Sequence, residues 1–96
     1  NFKIQLLILF FVIFLGFFFQ ITITEWIFII LSSIIVLSLE ALNSSVEKLA
    51  DEITLEQHPK IKWVKDVSAG AVLIGTIGAA VVGCLVFIPY VMDLLK

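Results

Sequence analysis

An all-α membrane protein with three transmembrane helices is the fold class the sequence predicts, and three observations carry it. The 96 residues are 61% hydrophobic and only 15% charged, against about half and about a quarter in an ordinary soluble domain. So short a chain cannot hide that excess in one core, so the bilayer is its natural solvent. Three long apolar stretches stand between short polar connections. Each approaches the roughly 20 residues that a helix needs to cross the hydrocarbon.

The first stretch, from Ile4 to Phe19, is Phe-rich and uncharged. It lacks the small-residue cleavage site of a signal peptide, so it reads as a retained span. The absence of an initiator methionine gives the expectation that residues precede Asn1. "QITITE", residues 20–25, alternates Ile and Thr as a strand would, but between two spans it is expected as a turn. The second stretch runs from Trp26 to Leu39 and continues into "EALNSSVEKLAD", residues 40–51. "EITLEQHPKIK" then has soluble character, with His58 held extended or in a turn because it precedes Pro59. The third stretch, Val67 to about Met92, carries Ala71, Gly75, Ala79 and Gly83 four residues apart, a spacing that lets helix backbones approach closely in lipid. The expected elements of this single membrane domain, residues 1–96, are helix one over about 3–20 and helix two over about 24–52. A loop over about 53–61 and helix three over about 62–93 complete it.

Charge placement orients the chain. Lys3, Lys48, Lys60, Lys62 and Lys65 fall on one side, against Lys96, Asp93 and Glu25 on the other. By the positive-inside rule the lysine-rich side, with the 53–61 loop, faces the cytosol. Trp26, Trp63 and Tyr90 fall where interfacial aromatics belong. Without arginine or a basic run, a nucleic-acid partner is not expected. The lone Cys84, in an apolar stretch, is expected to be a buried small side chain with no disulfide or metal role.

The polar stripe that ends helix two is the candidate site. At about 100° per residue, Glu40, Asn43, Ser44, Glu47 and Asp51 fall within one face about 100° wide. From a start near Thr24, Glu40 lies about 24 Å along the helix, at the edge of a hydrocarbon layer about 30 Å thick. A solvated helix end accounts for Asp51, Glu52 and Lys48. It accounts less well for Glu40 and Asn43, because ionisable groups within a span are costly and usually face a bundle interior or a cavity. Carboxylates on one face repel unless a cation or proton intervenes, and magnesium takes one or two of them together with phosphate oxygens. Opening helix three, "KWVKDVSAG" places Lys65 and Asp66 at the same membrane face. Lys65 reads either as a snorkelling anchor or as a point charge for phosphate. His58 reads as a solvated loop histidine. A proton or cation pathway and a partner-facing stripe in a structural subunit are the other readings.

"EALNSSVEKLAD" followed by "KDVSAGAVL" resembles the small prokaryotic diacylglycerol kinase and undecaprenol kinase family over essentially the whole chain. The resemblance implies integral-membrane lipid kinases with three transmembrane helices, a homotrimeric bundle and active sites between protomers in the bacterial cytoplasmic (inner) membrane. The phosphate donor is ATP with Mg2+, and the acceptor a membrane lipid. It implies that Glu40 is the catalytic carboxylate, with Asn43 holding the constellation. Glu47 matches a magnesium ligand. Lys65 matches the lysine on the ATP phosphates, Asp66 its neighbour in the nucleotide site, and Asp51 the acidic face toward the nucleotide. Glu56 and His58 match positions near its adenosine end. Undecaprenol is the expected acceptor, with diacylglycerol the alternative. The family also has an amphipathic surface helix ahead of the first span, whose acidic residues complete the metal and lipid site. The sequence begins after that point, so weak activity is expected of these residues alone.

Overall fold

The computed structural model describes residues 2–54, Glu56 and residues 58–96. The described residues form three α-helices: α1 over Phe2–Phe19, α2 over Ile23–Ile53 and α3 over Pro59–Leu94. All three are long and apolar enough to cross a membrane. At 1.5 Å per residue they run about 27, 47 and 54 Å, and the molecule is a rod of 56 × 20 × 17 Å. α1 therefore matches the hydrocarbon thickness, whereas α2 and α3 overrun it at the end that carries the polar stripe.

The α1–α2 connection is a turn, as the sequence predicts. Ile21 N donates to Gly16 O at 3.2 Å and Gln20 N to Phe17 O at 3.3 Å, the paired bonds of a Schellman motif. Gln20 occupies the left-handed position usually held by glycine, with φ 52°. A capping box then opens α2. Glu25 N donates to Thr22 Oγ1 at 3.2 Å, and Thr22 N to Glu25 Oε1 at 2.9 Å, which satisfies two of the helix's orphan donors. The second connection is equally local. Thr54 N donates back to Ala50 O at 3.0 Å. His58 is extended at φ −92°, ψ 127° and caps α3 by accepting from Lys60 N at Nδ1, 3.2 Å away, with Pro59 in the first turn. α3 thus takes in residues 59–61, which the sequence assigned to the loop, because proline is tolerated where an N–H has no helical partner. Leu55 and Gln57 of that loop, and Asn1, lie outside the described residues.

α2 packs antiparallel along α3, and α1 lies against α2. Ile21, Ile29, Val86 and Phe87 form a small core at the end remote from the stripe, with Phe19, Trp26 and Tyr90 packed on it. Phe17 meets Trp26 at 5.1 Å and Phe19 meets Tyr90 at 5.7 Å between ring centroids. Tyr90 O–H also donates to Glu25 Oε1, tying α3 to the start of α2. Two glycines permit the close approaches. The Trp26 indole occupies the space a Cβ on Gly16 would take, and a Cβ on Gly75 would lie 2.6 Å from Leu39 Cδ1. Gly70, Gly78 and Gly83 have nothing within 4 Å of that position, so the small-residue face of α3 is only partly used inside the chain. Cys84 corrects its expectation: it is exposed. Three helices alone leave most apolar side chains outward, and burial of an apolar residue here falls to lipid or another chain.

Candidate active site

The site begins where the apolar part of α2 stops. Glu40 is half-buried about 26 Å from the first residue of α2. Its Oε2 receives a hydrogen bond from Gln5 Nε2 of α1 at 3.5 Å, the long limit for such a contact. Asn43, one turn further, is half-buried, and its Oδ1 is buried without a hydrogen-bond partner, as is Gln5 Oε1. Buried oxygens of this kind are costly and few in folded proteins, and each leaves room for a further donor or, at Asn43, a cation.

Beyond them α2 leaves the apolar zone. Ser44, Glu47, Lys48, Asp51 and Glu52 line one shallow cleft along the exposed stripe. Asp51 is bridged from α3 by Lys65, Nζ to Oδ1 at 2.5 Å, which locks the outer end of the stripe to the second cluster. Asp66 turns away and pairs with Lys62 at 2.7 Å within its own helix. Glu56 and His58 are exposed just beyond. The fold thus brings Glu40, Asn43, Glu47, Asp51 and Lys65 onto one side of one end. It leaves Asp66 in a local helix pair and Glu56 and His58 at the rim.

Among the described residues no three His, Cys, Asp or Glu side chains gather as a closed metal site. What the stripe offers a divalent ion is one or two of the carboxylates lining its cleft, with the bare Asn43 oxygen one turn from Glu47. That donor set suits a hard ion arriving on a polyphosphate, which supplies the remaining oxygens.

Gln5 was not singled out by the sequence reading. The signal was present: an amide in the first turns of an otherwise apolar span, where a polar residue usually faces a bundle interior. Its partner lies 35 residues away and could be found only in the folded chain.

The family model "Prokaryotic diacylglycerol kinase" matches residues 1–87. The chain is similar to an undecaprenol kinase of Bacillus subtilis, 39% identical over 74 residues, which is 77% of this chain and 60% of that protein. A diacylglycerol kinase of Synechocystis is 39% identical over 67 residues, 68% of this chain and 38% of that one. One from Helicobacter pylori is 42% identical over 53 residues, 55% and 41% respectively. The chain therefore spans from 38% to 60% of the lengths of these relatives. No solved structure gives a significant match. Three membrane-length helices with the polar ladder from Glu40 to Lys65 accord with the family match over residues 1–87, and the chain belongs to the prokaryotic diacylglycerol kinase family.

Proposed function

We propose that the chain is the membrane domain of a lipid kinase that transfers the γ-phosphate of Mg-ATP to the primary hydroxyl of a membrane lipid, with undecaprenol as the acceptor. The observation that carries this reading is the ladder on one end of the bundle. A half-buried carboxylate, Glu40, stands at the apolar boundary, and the cation–carboxylate pair Lys65–Asp51 stands about 16 Å further out along α2. A lipid alcohol cannot leave the bilayer and a nucleotide cannot enter it, so the reaction needs its base at the boundary and its phosphate site just outside.

Glu40 then takes the hydroxyl proton as the acceptor oxygen forms its bond to the γ-phosphorus. The bridging P–O bond breaks and ADP leaves with its electrons. Lys65 meets the phosphates as a point charge, Asn43 orients the polar cluster, and Asp51, Asp66, Glu56 and His58 border the nucleotide. Glu47 would hold Mg2+, which supplies charge neutralisation on the phosphates. Five lysines at this end support a cytosolic side for it and for the 53–61 loop, in a bacterial inner membrane. Outward-facing apolar side chains and the free glycine face of α3 support a homotrimer with sites between protomers. The choice of undecaprenol over diacylglycerol is supported by the alignment of 77% of this chain with the Bacillus subtilis undecaprenol kinase.

The test is phosphoryl transfer from γ-labelled Mg-ATP by the whole protein in mixed micelles, each lipid offered separately. Label entering undecaprenol, and lost in Glu40→Gln, is the expected result. Label in diacylglycerol alone would overturn the acceptor, and label in neither the kinase reading.

A further inference from the structure

Lys48 is the basic side chain lining the cleft beyond Glu40, among Ser44, Glu47, Asp51 and Glu52. The sequence reading assigned it to a solvated helix end, and its surroundings in the folded chain argue otherwise. Three carboxylates line that cleft to one lysine. Asp51 is already bridged from α3 by Lys65 Nζ at 2.5 Å. Lys62 and Lys96 are likewise paired, with Asp66 and Asp93. Among the described residues Lys48 has no ion-pair partner. Glu52 stands four residues on, in the order that favours a helix pair least, with lysine on the N-terminal side. One turn inward, Ser44 Oγ has no acceptor among the described residues. Ser32, Ser33 and Ser45 instead donate to the carbonyls of Phe28, Ile29 and Ala41 on their own helix. Ser44 and Lys48 are thus two unspent donors in one row, facing the same cleft.

Position and direction decide what they meet. Lys48 lies about 12 Å beyond Glu40 along α2, and Asp51, with its Lys65 bridge, about 16 Å. Side chains on an α-helix lean toward its N-terminus. α2 begins at the end remote from the site, so Lys48 leans inward, toward Ser44 and Glu40. α3 begins at the site end, so Lys65 leans outward, where Asp51 receives it. A triphosphate whose γ-phosphorus meets an alcohol beside Glu40 trails its other phosphates outward along this row. It passes Ser44 and Lys48 before it reaches Lys65. It also comes against Glu47 and Glu52, whose charge repels phosphate oxygens unless a cation stands close by.

We propose that Lys48 binds the β–γ end of the nucleotide polyphosphate, leaving Lys65 to the phosphate nearest the nucleoside. The proposal rests on the lipid-kinase reading and adds a second phosphate-binding lysine to it. In the transfer the acceptor oxygen bonds to the γ-phosphorus and its proton passes to Glu40. The bridging P–O bond breaks, and its electron pair stays on the β-phosphate of ADP. Lys48 gives up no proton. Its ammonium stands beside the oxygen that gains charge, and a fixed charge there favours the transition state over the bound ground state.

Adenosine triphosphopyridoxal carries an aldehyde on its terminal phosphate, and borohydride traps it on a neighbouring lysine. With the whole protein in mixed micelles it is expected to label Lys48 in preference to Lys65 and Lys60, and ATP should suppress that label. In equilibrium dialysis Lys48→Gln should weaken Mg-ATP binding about tenfold or more, the worth of one hydrogen bond to a charged group. ADP should be weakened less and AMP not at all. Lys48→Arg keeps the charge and should recover most of the ATP affinity. Lys60→Gln, an exposed lysine at the same end, should bind as the parent does. In transfer assays Lys48→Gln should lower kcat as well as raise KM for ATP. Label on Lys65 without Lys48, or ATP affinity unchanged in Lys48→Gln, would overturn the proposal. So would a loss shared equally by ATP, ADP and AMP together with lowered thermal stability, which would make Lys48 structural. Lipid phosphorylation with kcat/KM for ATP unaltered in Lys48→Gln sinks the Lys48 assignment alone. Label at Lys48 and a selective loss of ATP affinity, with no alcohol phosphorylated, sink the kinase reading alone.

Discussion

Glu40 and Lys65 mark the two ends of the chemistry, and their surroundings separate what each substitution should do. Glu40→Gln keeps the size of the side chain and can still accept from Gln5, so folding and nucleotide binding are expected to persist. Loss of a general base should lower kcat by about 10²–10⁴-fold, read in the lipid-phosphorylation assay beside ATP binding by equilibrium dialysis. Lys65 has two possible loads, its ion pair with Asp51 and a phosphate. The pair is a third to half exposed, 36% and 50%, and such pairs contribute at most about 1 kcal/mol. A charge exchange, Lys65→Asp with Asp51→Lys, should restore the pair without restoring the phosphate contact. The expected outcome is near-normal thermal stability with KM for ATP raised about tenfold or more. Recovery of normal KM in the exchange variant would make Lys65 a structural residue.

At the scale of the elements, both helix connections are held by local chemistry that can be tested in isolation. Gln20 carries a left-handed conformation, φ 52°, that costs a non-glycine residue roughly 1–2 kcal/mol. Gln20→Gly is expected to stabilise the chain by about 1 kcal/mol in denaturant titration in micelles, with little effect on activity. Gly16→Ala should act in the opposite sense, since the added methyl meets the Trp26 indole. Overpacking of this kind costs about 1–3 kcal/mol, and the same titration, with indole fluorescence, reports it. The capping box was written in the order Thr22-x-x-Glu25 and could have placed the start of α2 from sequence. His58-Pro59 did announce an extended residue, and the structure adds that His58 caps α3 through Nδ1.

For the whole molecule the decisive fact is how little one chain buries. Among the described residues Ile21, Ile29, Ala50, Val86 and Phe87 make up the buried apolar set, and a rod 20 × 17 Å across has no room for more. Lipid or further copies must cover the rest. Gly78 faces open space in the single chain, so Gly78→Leu should leave the monomer's helix content intact by circular dichroism. If copies pack on that face, the crosslinked oligomer in micelles should dissociate at protein concentrations where the parent remains assembled. An unchanged oligomer would move the interface elsewhere on the bundle.

The helices, their approximate ends and the polar face of α2 were legible in the chain, because hydropathy, helical period and proline placement act over neighbouring residues. Glu40, Asn43, Glu47 and Asp51 share a stripe whatever the rest of the protein does, since 3.6 residues per turn put them there. Folding alone decided that Lys65 bridges Asp51 across 14 residues, that Gln5 reaches Glu40 across 35 and that Tyr90 reaches Glu25 across 65. It also decided that Asp66 stays with Lys62 and that Cys84 lies outward. A spacing along one helix specifies a face; which faces meet depends on helix crossing and rotation, and these follow from packing at Gly16 and Gly75.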